Sequence, residues 1–249
     1  MGDVARCSIE NEDLLYNLFG INAELLIDHT WGYEPCEMKH IKAYKPENNC
    51  ISSGQVLQSP YNYEKIKIIV KEMTELLCLD LIVKRIVTNQ IVLTIGYDIE
   101  NLTNPEIRKK YKGEVKTDFY GRKVPKHVHG SKNLGIYTSS TKKIMKATLS
   151  LFERIYNKDL LVRRVNIAAN SIIDESEGDK RNNCRQLSIF DDEKTTKDEE
   201  HELSRERRLK ETELALQKKY GKNAILKGTN LQEGATTKER NGQIGGHKA

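Results

Sequence analysis

The stretch 186-QLSIF-190 sets three apolar side chains, Leu187, Ile189 and Phe190, between a basic, amide-rich run and an acidic one. Nothing apolar lies close enough to extend them into a helix face or a core strand. Such a cluster reads as a peptide anchor, in which a few side chains enter a deep apolar pocket on a partner and offset the entropy lost on ordering. Gln186 can hydrogen-bond at the pocket rim, and Ser188 lies between the anchors. Other chemistry-bearing residues are sparse. Cys7, Cys36, Cys50, Cys78 and Cys184 are scattered, with no C-x-x-C pair. This is the pattern of reduced thiols in a cytosol, not of a disulfide frame or a zinc site. His127 and His129 form an H-x-H pair with no cysteine or second histidine pair nearby, so they read as loop histidines, not metal ligands. Gly54, Gly96 and 241-NGQIGG-246 match no phosphate-binding loop.

Charge is distributed unevenly over the 249 residues. Residues 1–35 carry one basic and seven acidic side chains, residues 36–170 carry 24 basic and 13 acidic, and residues 171–249 carry 16 of each. A middle segment at +11 points to a polyanionic partner. No apolar run approaches the roughly 20 residues of a membrane helix, and the N-terminus lacks the basic and apolar blocks of a signal peptide.

These residues need a scaffold, and the hydrophobic spacing supplies one. Leu14, Leu15, Leu18 and Phe19 form a helical stripe ended by Gly20. Asn22 is placed to cap a second helix carrying Leu25 and Leu26. Residues 36–50 read as a linker. A strand is expected at 51–58, then a helix over about 62–85 with Ile66, Ile69, Val70, Met73, Leu76, Leu77 and Leu81 inward. Lys65, Lys67, Lys71, Glu72 and Glu75 take its other side. Strands are expected at 90–97, 132–139 and 160–170, with a helix over about 140–156 capped by Ser139 or Ser140. The fold class is therefore α+β: a four-stranded sheet in the order strand, helix, strand, strand, helix, strand, with both helices on one face. The other face is left open, and a +11 unit with an open face suits an extended polyanion. Residues 99–131 form a basic, Gly/Pro-punctuated connection. Residues 174–200 read as disordered, 201–220 as a marginal, solvated helix, and the last residues as a tail of unassigned role.

Two resemblances sharpen this. The residues 186-QLSIF-190 are similar to the Gln-Leu-x-Leu/Ile-Phe pattern by which bacterial replication proteins hold the sliding clamp. From 19-FGINAELLIDHTWG-32, through 45-KPENNCISSGQVL-57, to 161-LVRRVNIAAN-170, the chain resembles the C-terminal half of a Y-family translesion DNA polymerase. It is most similar to the UV-damage-repair branch of Gram-positive bacteria, including at 220-YGKNAILKGTNLQEGATTKERNGQIGGHKA-249. The resemblance implies a partial thumb over 1–35 and a DNA-binding little finger over 51–173. It implies that the amides of Gly20, Ile21 and Asn22 hold a phosphate. It also implies phosphate contacts at Ser52, Ser53, Gly54, Thr138, Ser139, Arg163 and Arg164, with no catalytic residue, metal ligand or cofactor in this chain. The intact enzymes use Mg²⁺ held by palm carboxylates; Asp3, Asp13 and Asp28 do not form that motif, so no polymerase activity is expected of the chain alone. The implied partners are primer-template duplex, the sliding clamp and a separate palm-and-fingers fragment. A stand-alone DNA- and clamp-binding accessory protein is the alternative. RNA binding fits less well, because the strands lack paired aromatics that stack bases.

Overall fold

A computed structural model describes all residues except 45–48, 119–120, 184–192, 245–246 and 249. It divides into two compact units, residues 1–48 and 49–249. The first holds α1 (Gly2–Glu10), α2 (Glu12–Phe19), α3 (Asn22–Thr30) and the short α4 (Met38–Ala43). The sequence reading missed α1 and α4. Gly20 ends α2 with φ 59°, in the left-handed region that glycine tolerates. Asn22 does not cap α3: the helix begins at Asn22, and Ile21 holds the capping position with no side-chain hydrogen bond. Among the described residues of this unit only Leu15 and Ala23 are buried, while the Trp31 indole donates to Ser8 Oγ at 3.1 Å.

In the second unit the order is β1 (Ile51–Tyr61), α5 (Tyr63–Val83), β2 (Ile86–Tyr97), α6 (Glu100–Thr103), α7 (Pro105–Lys110), β3 (Val115–Thr117), β4 (Lys123–Pro125), β5 (Val128–Thr138), α8 (Thr141–Ile155), β6 (Val162–Asn170) and the two-residue β7 (Ile173–Asp174). After these come α9 (Glu175–Asn183), α10 (Glu193–Tyr220), a 3-10 turn over Gly228–Leu231, α11 (Thr237–Arg240) and the paired β8 (Gln243–Ile244) and β9 (His247–Lys248). The main sheet runs β1-β6-β2-β5, every neighbour antiparallel, and β7 pairs with the start of β2. Each strand–helix–strand unit therefore straddles one strand of the other, so neither half can close its sheet alone. Alternation decides the sides. Ile91, Leu93, Ile95, Val165 and Ile167 are fully buried against Ile66, Ile69, Met73 and Leu77 of α5 and Ile144, Leu151 and Phe152 of α8. Asn62 caps α5 by accepting from Lys65 N at 3.2 Å, and Ser140 caps α8 by accepting from Lys143 N at 3.3 Å.

Residues 174–183, read as disordered from composition, instead form the end of β7 and helix α9. Gly178 lets α9 approach β2 closely: a Cβ there would lie 2.4 Å from Val87 Cγ2. Asn182 then completes the edge of β5, its Oδ1 accepting from Tyr137 N at 2.9 Å and its Nδ2 donating to Tyr137 O at 2.7 Å. The side-chain amide pairs as a strand backbone would.

The tail is also better held than its composition suggests. Glu72, assigned to the solvent side of α5, is 2% exposed beneath it. Its carboxylate accepts from Asn230 Nδ2 at 2.9 Å, Thr236 N at 2.8 Å, Thr237 N at 3.3 Å and Thr236 Oγ1 at 3.3 Å. Glu75 takes Lys227, and Gln55 of β1 donates to Thr236 Oγ1 at 2.9 Å and accepts from Arg240 Nη1 at 3.0 Å. Burial holds the Arg240 guanidinium below its usual pKa, opposed by the nearby Glu72 charge. Leu76, expected inward, lines the cavity of about 410 Å³ between α5 and the tail.

Two outcomes follow. Removing the Glu72 carboxylate strips several charge-assisted hydrogen bonds, each worth roughly 1.5–3 kcal/mol. Glu72→Ala should therefore raise hydrogen exchange across 228–240 while the β2–β6 amides keep their protection. Gly130 of β5 has no room for a side chain: a Cβ would meet Ile155 Cγ2 at 2.9 Å and Leu151 Cδ1 at 3.0 Å. Gly130→Ala should lower unfolding stability by about 1–3 kcal/mol in urea titrations.

Candidate nucleic-acid interface

The side of the sheet away from α5 and α8 is built in cross-strand rows. Ser52, Ala168, Val92 and Ser131 form one row, and Gly54, Asn166, Thr94 and His129 the next; Val56, Arg164 and Gly96 form a third. None of these residues is buried. The face is a shallow floor of small, hydroxyl- and amide-bearing groups. Four strands at about 4.8 Å spacing span roughly 14 Å, close to the roughly 12 Å width of a B-DNA major groove. Gly96 keeps the floor low beside Arg164, whose own Cβ would lie 3.3 Å from any Cβ placed at 96.

Charge on this floor is sparse. Arg164 is the only permanent cation in the three rows, and His129 shares a hydrogen bond with Thr94 Oγ1 at 2.9 Å. The expectation that the segment's excess cations line the open face is not met. They sit on the helices and on the 99–127 excursion between β2 and β5. The physical reason is register: the outward beats of the strands fall on Ser52, Gly54, Val92, Thr94, Gly96, Ser131, Asn166 and Ala168.

The sequence-assigned contacts separate accordingly. Ser52, Gly54 and Arg164 lie on the floor. Ser53 is opposite Ile167, so its side chain turns to the helix side and lines the cavity under the tail. Thr138 is 8% exposed, and its Oγ1 accepts from Ser140 N at 3.0 Å. Ser139 is half-buried in a cleft shared with Glu175, Asp179 and Glu206. There the Glu206 carboxylate accepts from Ser140 Oγ at 2.7 Å and Lys142 N at 2.9 Å, filling the N-terminus of α8. The pair Thr138–Ser139 is thus not brought together with Ser52 and Gly54.

Arg163 leaves the floor because neighbouring residues of a strand face opposite sides, and a register shift between Gly96 and Tyr97 lies beside it. Its Nη1 donates to Gln58 O at 2.9 Å, and its Nε lies 3.8 Å from Asp98 Oδ2. Gly20, Ile21 and Asn22 lie in the first unit at the α2–α3 turn; the Gly20 amide is taken up by Tyr16 O at 2.8 Å, while the first amides of α3 have no carbonyl partner within the helix. Gln186, Leu187, Ser188, Ile189 and Phe190 lie outside the described residues.

Asn166, Thr94 and Ser131 were not singled out from sequence. Their signal was the alternation itself: each sits between buried aliphatic or helix-facing positions on its strand. Among the described residues no group of three or more His, Cys, Asp or Glu side chains could hold a metal ion. No described helix is long and apolar enough to cross a membrane.

The profile of the impB/mucB/samB family C-terminal domain matches residues 50–189, more than half of the chain. No curated protein matches it. The matched span holds the whole interlocked sheet, both core helices and the open floor, so this chain belongs to the impB/mucB/samB family and carries the C-terminal domain of its Y-family DNA polymerases.

Proposed function

We propose that the chain is the DNA-gripping and clamp-recruiting part of a translesion polymerase of the UV-damage-repair branch found in Gram-positive bacteria. The second unit lays its open floor along primer-template duplex and holds the backbone without reading bases. The observation that carries this reading is the floor: groove-wide, low and furnished with Ser52, Gly54, Thr94, Ser131, Asn166 and Arg164. Hydroxyls, amides and one guanidinium are suited to phosphates and blind to sequence. The amides of Ile21 and Asn22 add a phosphate contact from the first unit, and 186-QLSIF-190 delivers the complex to the sliding clamp.

One feature of the first unit favours a further partner. Leu14, Leu18, Phe19, Ile21 and Trp31 are 44–82% exposed there, an apolar surface of the kind that a second polypeptide covers. A palm-and-fingers fragment, supplying the Mg²⁺-holding carboxylates, is the partner proposed. A stand-alone accessory protein would leave that surface open.

In fluorescence anisotropy with primer-template DNA, Arg164→Ala together with Asn166→Asp should weaken binding about tenfold or more, alike for all sequences. Arg163→Ala should act mainly on stability, since its guanidinium holds Gln58 O. Unchanged affinity in the Arg164/Asn166 variant would reject the floor as the interface. Clamp pull-down should fail after Leu187→Ala with Phe190→Ala, and equal capture would remove the clamp from the proposal. Primer extension should appear when the chain is mixed with a separately made palm-and-fingers fragment; continued inactivity, with competition against an intact polymerase for DNA, would favour the accessory reading.

A further inference from the structure

The floor holds one permanent cation in its three rows, yet the segment around it is strongly basic. Part of that charge lies in the excursion between β2 and β5. Residues 108–126 carry eight basic and two acidic side chains. Lys116 and Lys126 share Glu114, but Lys109, Lys110, Lys112 and Lys123 are exposed and have no carboxylate partner among the described residues. Four unneutralised ammonium groups on one short excursion repel one another and favour a polyanion.

The described parts of the excursion are also tied into the fold. Asn101 is fully buried at its base. Its Nδ2 donates to Leu161 O at 2.8 Å and Asp98 O at 2.9 Å, and its Oδ1 accepts from Leu161 N at 2.7 Å. Asp98 N also donates to Leu161 O at 3.0 Å. Ile107 and Tyr111 pack on the main core, Pro125 is buried, and β3 pairs with β4 through Val115–Pro125 and Thr117–Lys123. The excursion leaves the sheet at Tyr97 and returns at Val128. It therefore borders the end of the floor where Arg164 faces Gly96 and His129 faces Thr94.

We propose that this excursion is a second phosphate-gripping arm, which carries the duplex past the end of the sheet and supplies the charge that the floor lacks. The inference rests on the DNA-binding reading above. The floor fits the groove, and the arm supplies counterion release on the flanking backbone through Lys109, Lys110, Lys112 and Lys123.

The test is duplex binding by the full chain over a salt series. Changing the four lysines to alanine should flatten the slope of log affinity against log salt by about 3.6. It should weaken low-salt binding by about tenfold or more, with the melting temperature unchanged because the side chains are exposed and unpaired. Changing the same four to arginine should keep both slope and affinity. An alanine variant that binds with wild-type slope and affinity overturns the arm and leaves the floor reading standing, as does an arginine variant that binds no better than the alanine one. A wild-type chain that binds no duplex even at low salt overturns both.

Discussion

The dry face of the sheet is the constraint on which everything else in the second unit depends. Each of the four long strands has one row of side chains that must leave water, and α5 and α8 are the surfaces that cover them. The two strand–helix–strand units interlock, so β6 needs β1 and β2 on its flanks and β2 needs β6 and β5. Once the aliphatic rows are committed to the helices, the opposite rows are fixed in position by the period of two. A polar floor of defined width is then a consequence of packing, and its chemistry is set by whichever small residues fall on the outward beats.

That period made most of the fold legible in the sequence. The four long strands and two core helices stand within a few residues of their expected places, because each has an apolar row that only one secondary structure can bury. What escaped detection depended on partners distant in the chain. Glu72 reads as a surface residue of α5 until Asn230, Thr236 and Thr237 arrive, more than 150 residues later. Helix α9 has almost no apolar content, and it exists because Gly178 permits contact with Val87 and Asn182 mimics a strand.

The site was legible to a similar depth. Ser52, Gly54 and Arg164 stand on the floor, as their strand positions require. Ser53 and Arg163 fall on the wrong beat, each next to a residue that stands on the floor. Thr138 and Ser139 look available in sequence, just ahead of a helix. In the fold a carboxylate from α10 already satisfies the end of that helix. A segment-wide charge of +11 points to a polyanion but cannot say which surface bears the charge, because net charge has no direction.

The lock between α5 and the tail has a consequence for where this molecule can be cut. The matched C-terminal domain ends at residue 189, but the hydrogen-bonded body continues to Arg240. A fragment trimmed to the inherited borders would bare a carboxylate that the fold keeps 2% exposed, together with the apolar flank of α5. The evolutionary module and the physical one thus have different edges, and anyone dissecting the chain should follow the physical one.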